Sequence, residues 1–119
     1  MPHYRAVKAW QVHYPDPIRG AAGDRLALGR RDDEFPGWVW ATAADGRAGW
    51  VPESWLRVEG EGGVLLRDYN AAELPLEPGD VVSGELAEGG WLWATTPAGR
   101  QGWAPLTHLE RRDEAAPRD

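Results

Sequence analysis

The side chains with reactive potential are three histidines (His3, His13 and His108), nineteen carboxylates and no cysteine. The histidines do not fall at metal-ligand spacings. The missing thiols exclude a thiolate zinc site, a disulfide framework and a cysteine nucleophile. No nucleophile elbow or phosphate loop is present, and Gly60–Glu61–Gly62–Gly63 does not open a helix. A hydrolytic carboxylate pair needs a cleft that very small domains seldom form. What remains is aromatic: eight tryptophans and three tyrosines, whose flat faces supply apolar contact while a polar edge can still hydrogen-bond. The chemistry in reach is recognition rather than catalysis, with no cofactor or metal expected.

The tryptophans are placed by a repeat. Gly37–Trp38–Val39–Trp40–Ala41 and Gly49–Trp50–Val51–Pro52 recur as Gly90–Trp91–Leu92–Trp93–Ala94 and Gly102–Trp103–Ala104–Pro105, with seven identities at one offset of 53 residues. A duplicated unit makes two small domains the better count, read as residues 1–59 and 60–110, with a flexible tail over 111–119. Each domain is near the lower size limit for independent folding, so aromatic packing has to supply much of its core.

Coarse patterning places short strands around these words. Tyr4–Trp10 alternates like an opening strand with Ala6 and Val7 inward, and His13–Tyr14–Pro15–Asp16–Pro17 breaks it into a long loop. A turn at Gly23–Asp24 leads to a strand over Arg25–Gly29. Strands Trp38–Thr42 and Ala48–Val51 flank an Asp45–Gly46 hairpin turn, followed by one helical turn at Glu53–Trp55 and a strand at Leu56–Val58. Glu59–Gly63 reads as a flexible linker. The second unit repeats the order, with strands at Val64–Leu66, near Val81–Leu86, at Trp91–Thr95 and at Gln101–Ala104. With no helical period in either half, the fold class is all-β: two tandem small five-stranded barrels joined by a short linker.

Leu65–Leu66–Arg67–Asp68–Tyr69, then Glu73–Leu74–Pro75–Leu76–Glu77–Pro78–Gly79–Asp80, then Gly90–Ala94 and Gly102–Pro105 resemble the ordered signature of Src-homology-3 (SH3) domains. Ala6–Val7–Lys8–Ala9–Trp10 and Gly49–Leu56 are a more divergent version, so the chain resembles a tandem of variant, bacterial SH3 domains. The resemblance implies a five-stranded barrel that binds polyproline segments in a shallow aromatic groove beside an acidic loop. Carried over by position, the second groove comprises Tyr69, Trp91, Pro105 and His108 with Glu73 as the nearby acid. The first comprises Trp10, Trp38, Pro52 and Trp55. Arg67 and Lys8 stand where the family has its first groove tyrosine.

Strand parity divides the tryptophans further. Period two sets Leu92 and Ala94 on one face and Trp91 and Trp93 on the other. Pairing about residues 45 and 98 sets Trp40 opposite Trp50 and Trp93 opposite Trp103, as hairpin braces, ligand contacts or packing surfaces. Trp38 and Trp91 are expected on an exposed binding face. Tyr69 and Trp10 fit a groove and an interior wall equally, and His108 would bring pH sensitivity near the histidine reference of roughly 6.5. Asp24 and Asp80 are expected to cap turns.

The functional expectation is a non-catalytic module for a protein partner with a proline-rich or basic extended segment. A structural or oligomerising role for exposed tryptophan pairs and binding of cell-wall peptides are the alternatives. The net charge of −6 is concentrated after residue 58 and disfavours nucleic acid and anionic lipid. Met1–Trp10 has no apolar signal region, so the expectation is a cytoplasmic monomer or weak homodimer.

Overall fold

A computed structural model of the chain describes residues 1–112. The strands are β1 His3–Ala6, β2 Arg19–Gly20, β3 Arg25–Arg31, β4 Trp38–Thr42, β5 Ala48–Pro52, β6 Leu56–Glu59 and β7 Gly62–Leu65. They continue with β8 Tyr69–Asn70, β9 Val81–Ser83, β10 Ala87–Glu88, β11 Trp91–Thr95, β12 Gln101–Pro105 and β13 Leu109–Arg112. Single 3-10 turns occupy Glu53–Trp55 and Leu106–His108. The protein is all-β and forms two small barrel-like units. Of the tail expected over 111–119, Arg111 and Arg112 belong to β13, and 113–119 lie outside the described residues.

The two hairpins follow the expected register. Leu92 pairs with Ala104 and Trp93 with Trp103, while Val39 pairs with Val51 and Trp40 with Trp50. Parity sorts the small side chains inward: Val39, Ala41, Val51, Leu92, Ala94 and Ala104 are fully buried. The diverging turns are closed as their carboxylates predict, with the Ala21 N–H donating to Asp24 at 2.9 Å and the Glu77 N–H to Asp80 at 2.8 Å.

The compact units do not follow the expected boundary at 59/60. One unit joins Met1–His13 to the chain from Glu73 onward and is called the composite unit below; Tyr14–Ala72 forms the other, continuous unit. Their sheets have the same plan. The composite unit carries β12 on β11, then β9, β1 and β13, and the continuous unit runs β5-β4-β3-β7-β6. The place taken by β1 in one is taken by β7 in the other. Each half of the sequence therefore lends its first strand to the barrel built from the rest of the other half.

The segment expected as a linker explains this exchange. Glu59 pairs with Gly62 and Leu56 with Leu65, so Gly60–Glu61 is a two-residue hairpin loop with Gly60 at φ +63°. A loop of that length holds consecutive strands side by side, which seats β7 between β6 and β3. The slot that β1 would fill beside β6 is taken, and β1 pairs instead with β13 and β9. Arg57 and Arg25 both donate to Glu59, at 2.9 and 3.0 Å, and hold its carboxyl below the usual carboxylate range. That clamp on the turn is complete above the ordinary carboxylate pKa and is lost as pH falls through the lowered folded value.

Charge agrees with the pairing. Arg5 on β1 lies opposite Glu110 on β13, 3.6 Å away. The residue in β6 equivalent to Glu110, at the repeat offset of 53, is Arg57, which would face Arg5 as a like charge. The opening strand itself is shorter than expected. It ends at Ala6, and Val7 is 45% exposed rather than inward, because alternation turns it to the face opposite buried Ala6. The strand expected to reach Leu86 ends at Ser83.

Reversing Glu110 to Arg should lower stability by about 0.2–1 kcal/mol, the scale of one exposed cross-strand pair, and Arg5→Glu in the same chain should recover most of the loss. Urea unfolding of the two single variants and the double variant checks this. Strict additivity would show that Arg5 and Glu110 are uncoupled.

Candidate peptide-binding groove

In the composite unit, the site grows from the end of β1. The Trp10 backbone exchanges two hydrogen bonds with Leu76, both 2.9 Å, which holds its ring over the start of β11. Trp10 meets Trp91 edge-to-face, with centroids 5.2 Å apart at 77°. It meets His108 in the same way at 5.3 Å and 85°. Pro105, opposite Trp91 in the β11–β12 ladder, is buried, while Trp10, Trp91 and His108 are half-buried. His108 is oriented through its ring: Nδ1 lies 3.1 Å from the Ala9 carbonyl oxygen. A carbonyl only accepts, so Nδ1 carries the hydrogen and Nε2 is the nitrogen left for other partners.

Glu73 lies beneath this cluster. The Trp10 Nε1–H donates to Oε1 at 2.9 Å, and the His13 backbone N–H donates to Oε2 at 3.0 Å. The carboxylate side chain is 10% exposed. Leu74 and the β12 backbone fix its position, since the Leu74 N–H donates to the Trp103 carbonyl at 2.9 Å. That approach requires Gly102, where a Cβ would come within 2.8 Å of the Leu74 nitrogen and 2.9 Å of the Glu73 carbonyl carbon.

The continuous unit places the matching residues differently. Trp38 pairs with Pro52 in the same register. Trp55 on the 3-10 turn meets Tyr69 edge-to-face at 5.4 Å and 86°. The Tyr69 hydroxyl donates to the Trp50 carbonyl at 2.6 Å, and the Arg67 guanidinium lies 4.0 Å above the Trp55 ring. Trp38, Tyr69 and Trp55 are only 4%, 5% and 7% exposed, and Pro52 is buried. Trp38 is therefore a packed residue and not the exposed binding face expected from its place beside a charged loop. Sequence position suggested that equivalence with Trp91, but accessibility separates them.

The exchange also regroups the candidate residues. Trp10 stands with Glu73, Trp91, Pro105 and His108, whereas Tyr69 stands with Trp38, Pro52 and Trp55. A straight reading of the repeat put Trp10 and Tyr69 the other way round. It also missed the stacking of Arg67 on Trp55 and the reason for glycine before Trp103, because both depend on which chain segment passes overhead. The outer tryptophan pairs are edge-to-face, Trp40–Trp50 at 5.1 Å and Trp93–Trp103 at 5.4 Å. Trp103 is only 3% exposed, and Tyr14 and Arg30 lie against Trp40 and Trp50.

Among the described residues, no cluster of histidine and carboxylate groups is arranged to hold a metal ion, and no helix is long and apolar enough to cross a membrane. Residues 3–59 match the family model described as the variant SH3 domain, which supports an SH3 domain in this chain. The matched stretch contributes its residues through His13, with β1 and Trp10, to the composite unit and those from Tyr14 onward to the continuous unit. Comparisons with curated proteins and with solved structures returned no match.

Gly102→Ala should destabilise the chain by about 1–3 kcal/mol, the cost of an overpacked methyl group meeting backbone, read as a lower urea midpoint at unchanged m-value. A destabilisation below about 0.5 kcal/mol would mean that the Glu73–Leu74 segment yields without cost.

Proposed function

We propose that the chain is a non-catalytic protein-interaction module with one working groove, formed by Trp10, Trp91, Pro105 and His108 of the composite unit, which takes an extended, proline-containing segment of another protein. The observation that carries this reading is the half-exposed Trp10, Trp91 and His108 rings set edge-to-face around a buried proline. Flat aromatic faces at near right angles form shallow slots for pyrrolidine rings. A polyproline helix is already ordered before it docks and loses little conformational entropy. The SH3 match over residues 3–59 supports the same class of partner.

On this reading the chain is a tandem of variant SH3 units with unequal roles. The continuous unit, with Trp38, Trp55 and Tyr69 packed away, supplies structure, while Trp10 reaches the composite unit from the first segment of the chain. Two equivalent grooves acting by avidity are not part of this reading. A single shallow groove of this kind binds in the micromolar range, near −8 kcal/mol.

Titration of the full chain with a proline-rich peptide, followed by tryptophan fluorescence, should saturate. Trp91→Ala should weaken binding about tenfold or more, as for loss of a central aromatic anchor, whereas Trp38→Phe should alter stability and leave affinity in place. Undiminished binding by the Trp91 variant, or no saturable binding by the parent chain, would remove this reading.

A further inference from the structure

The acid beside the working groove has a geometry that departs from the role its position implies. An SH3-type loop acid would face the ligand and take an arginine or lysine from it. In this chain both oxygens of Glu73 are occupied, Oε1 by the Trp10 indole N–H at 2.9 Å and Oε2 by the His13 backbone N–H at 3.0 Å. The His13 ring lies near the same carboxylate, with Nδ1 3.6 Å from Oε1, and stacks on Trp10 at 4.7 Å. The side chain is 10% exposed. Each oxygen keeps a second lone pair, but with the side chain 10% exposed a ligand cation would have to shed its water to reach it, and would pull on the carboxylate that sets the angle of a groove ring.

His13 and Glu73 are also the last residue of one chain segment and the first residue of the other in the composite unit. The carboxylate therefore ties the two segments together at the place where both leave the unit. Neighbouring acids have other surroundings. The Asp80 carboxylate accepts the Glu77 N–H at 2.8 Å, Glu77 is exposed on the diverging turn, and Glu88 pairs in register with Trp91 at the edge of the sheet.

We propose that Glu73 is a positioning residue, a clasp that seats the Trp10 ring and joins the two segments of the composite unit, and that the groove consequently selects a proline-containing segment by apolar fit without a basic anchor. The ligand half of this proposal rests on the groove reading above; the clasp half does not. Selection then depends on the slots between Trp10, Trp91 and His108, and basic residues flanking the prolines add little.

Two polyproline peptides, one flanked by arginine and one by glutamine, are titrated into the full chain and into Glu73→Gln and Glu73→Ala. The unmodified chain should bind both peptides within about twofold of each other, with little change on adding salt, since no exposed ion pair forms. Both variants should weaken both peptides by the same factor, about tenfold for loss of a charge-assisted bond. In the ligand-free protein, the Trp10 indole N–H resonance, assigned by its loss in Trp10→Phe, should move in Glu73→Gln and exchange faster with solvent. A tenfold or greater preference for the arginine peptide overturns the proposal. So does an indole resonance unmoved in both variants. If neither peptide binds the unmodified chain, the groove reading falls and takes the ligand half with it, while the indole resonance still decides whether Glu73 is the clasp.

Discussion

The two-residue turn at Gly60–Glu61 is the constraint on which the rest of the molecule depends. A short β-barrel needs a first strand beside its last, and any strand entering that slot satisfies the exposed backbone edge of β6. The turn delivers β7 there directly, because a two-residue loop cannot carry the chain elsewhere. Once β7 is in place, β1 must find another edge, and the barrel containing β9 and β13 lacks its own first strand. Once this hairpin is closed, it decides that Trp10 meets His108, residues some fifty positions away from the turn on either side.

The exchange gives the two units the same sheet order and different aromatic clusters. Trp10 carries an indole N–H where the other half has a tyrosine hydroxyl, and each finds an acceptor suited to it. The indole reaches Glu73 and leaves its ring half-exposed beside Trp91 and His108. The Tyr69 hydroxyl reaches the Trp50 carbonyl and the ring is buried against Trp55. A smaller donor allows tighter packing, and Arg67 lies over what would otherwise be the open face of Trp55.

Much of this was legible in the residues. Alternation within Trp91–Ala94 and Trp38–Ala41 identified the buried small side chains, and the Asp-Gly turn at Asp45–Gly46 set the register that pairs Trp40 with Trp50. The SH3 resemblance anticipated the family match over 3–59. What could not be read was partnership. Gly60 looks the same in composition whether it frees a linker or closes a hairpin, and the choice depends on strand edges that exist only after folding. The burial of Trp38 and the engagement of both Glu73 oxygens are likewise properties of what packs nearby. Gly102 carried a usable signal: a glycine fixed before a tryptophan in both halves marks a close approach of backbone, although the segment that approaches is not named by the motif.

The groove depends on β1 pairing with β13 rather than with β6, and a disulfide reads that choice directly. In this register Arg5 faces Glu110, while the conventional arrangement would set Arg5 opposite Arg57. With no native cysteine to interfere, the pair Arg5→Cys/Glu110→Cys should oxidise rapidly to an intramolecular bridge in dilute solution, and Arg5→Cys/Arg57→Cys should not. Efficient bridging of the second pair and failure of the first would contradict the exchange, and with it the groove assembled from Trp10, Trp91 and His108.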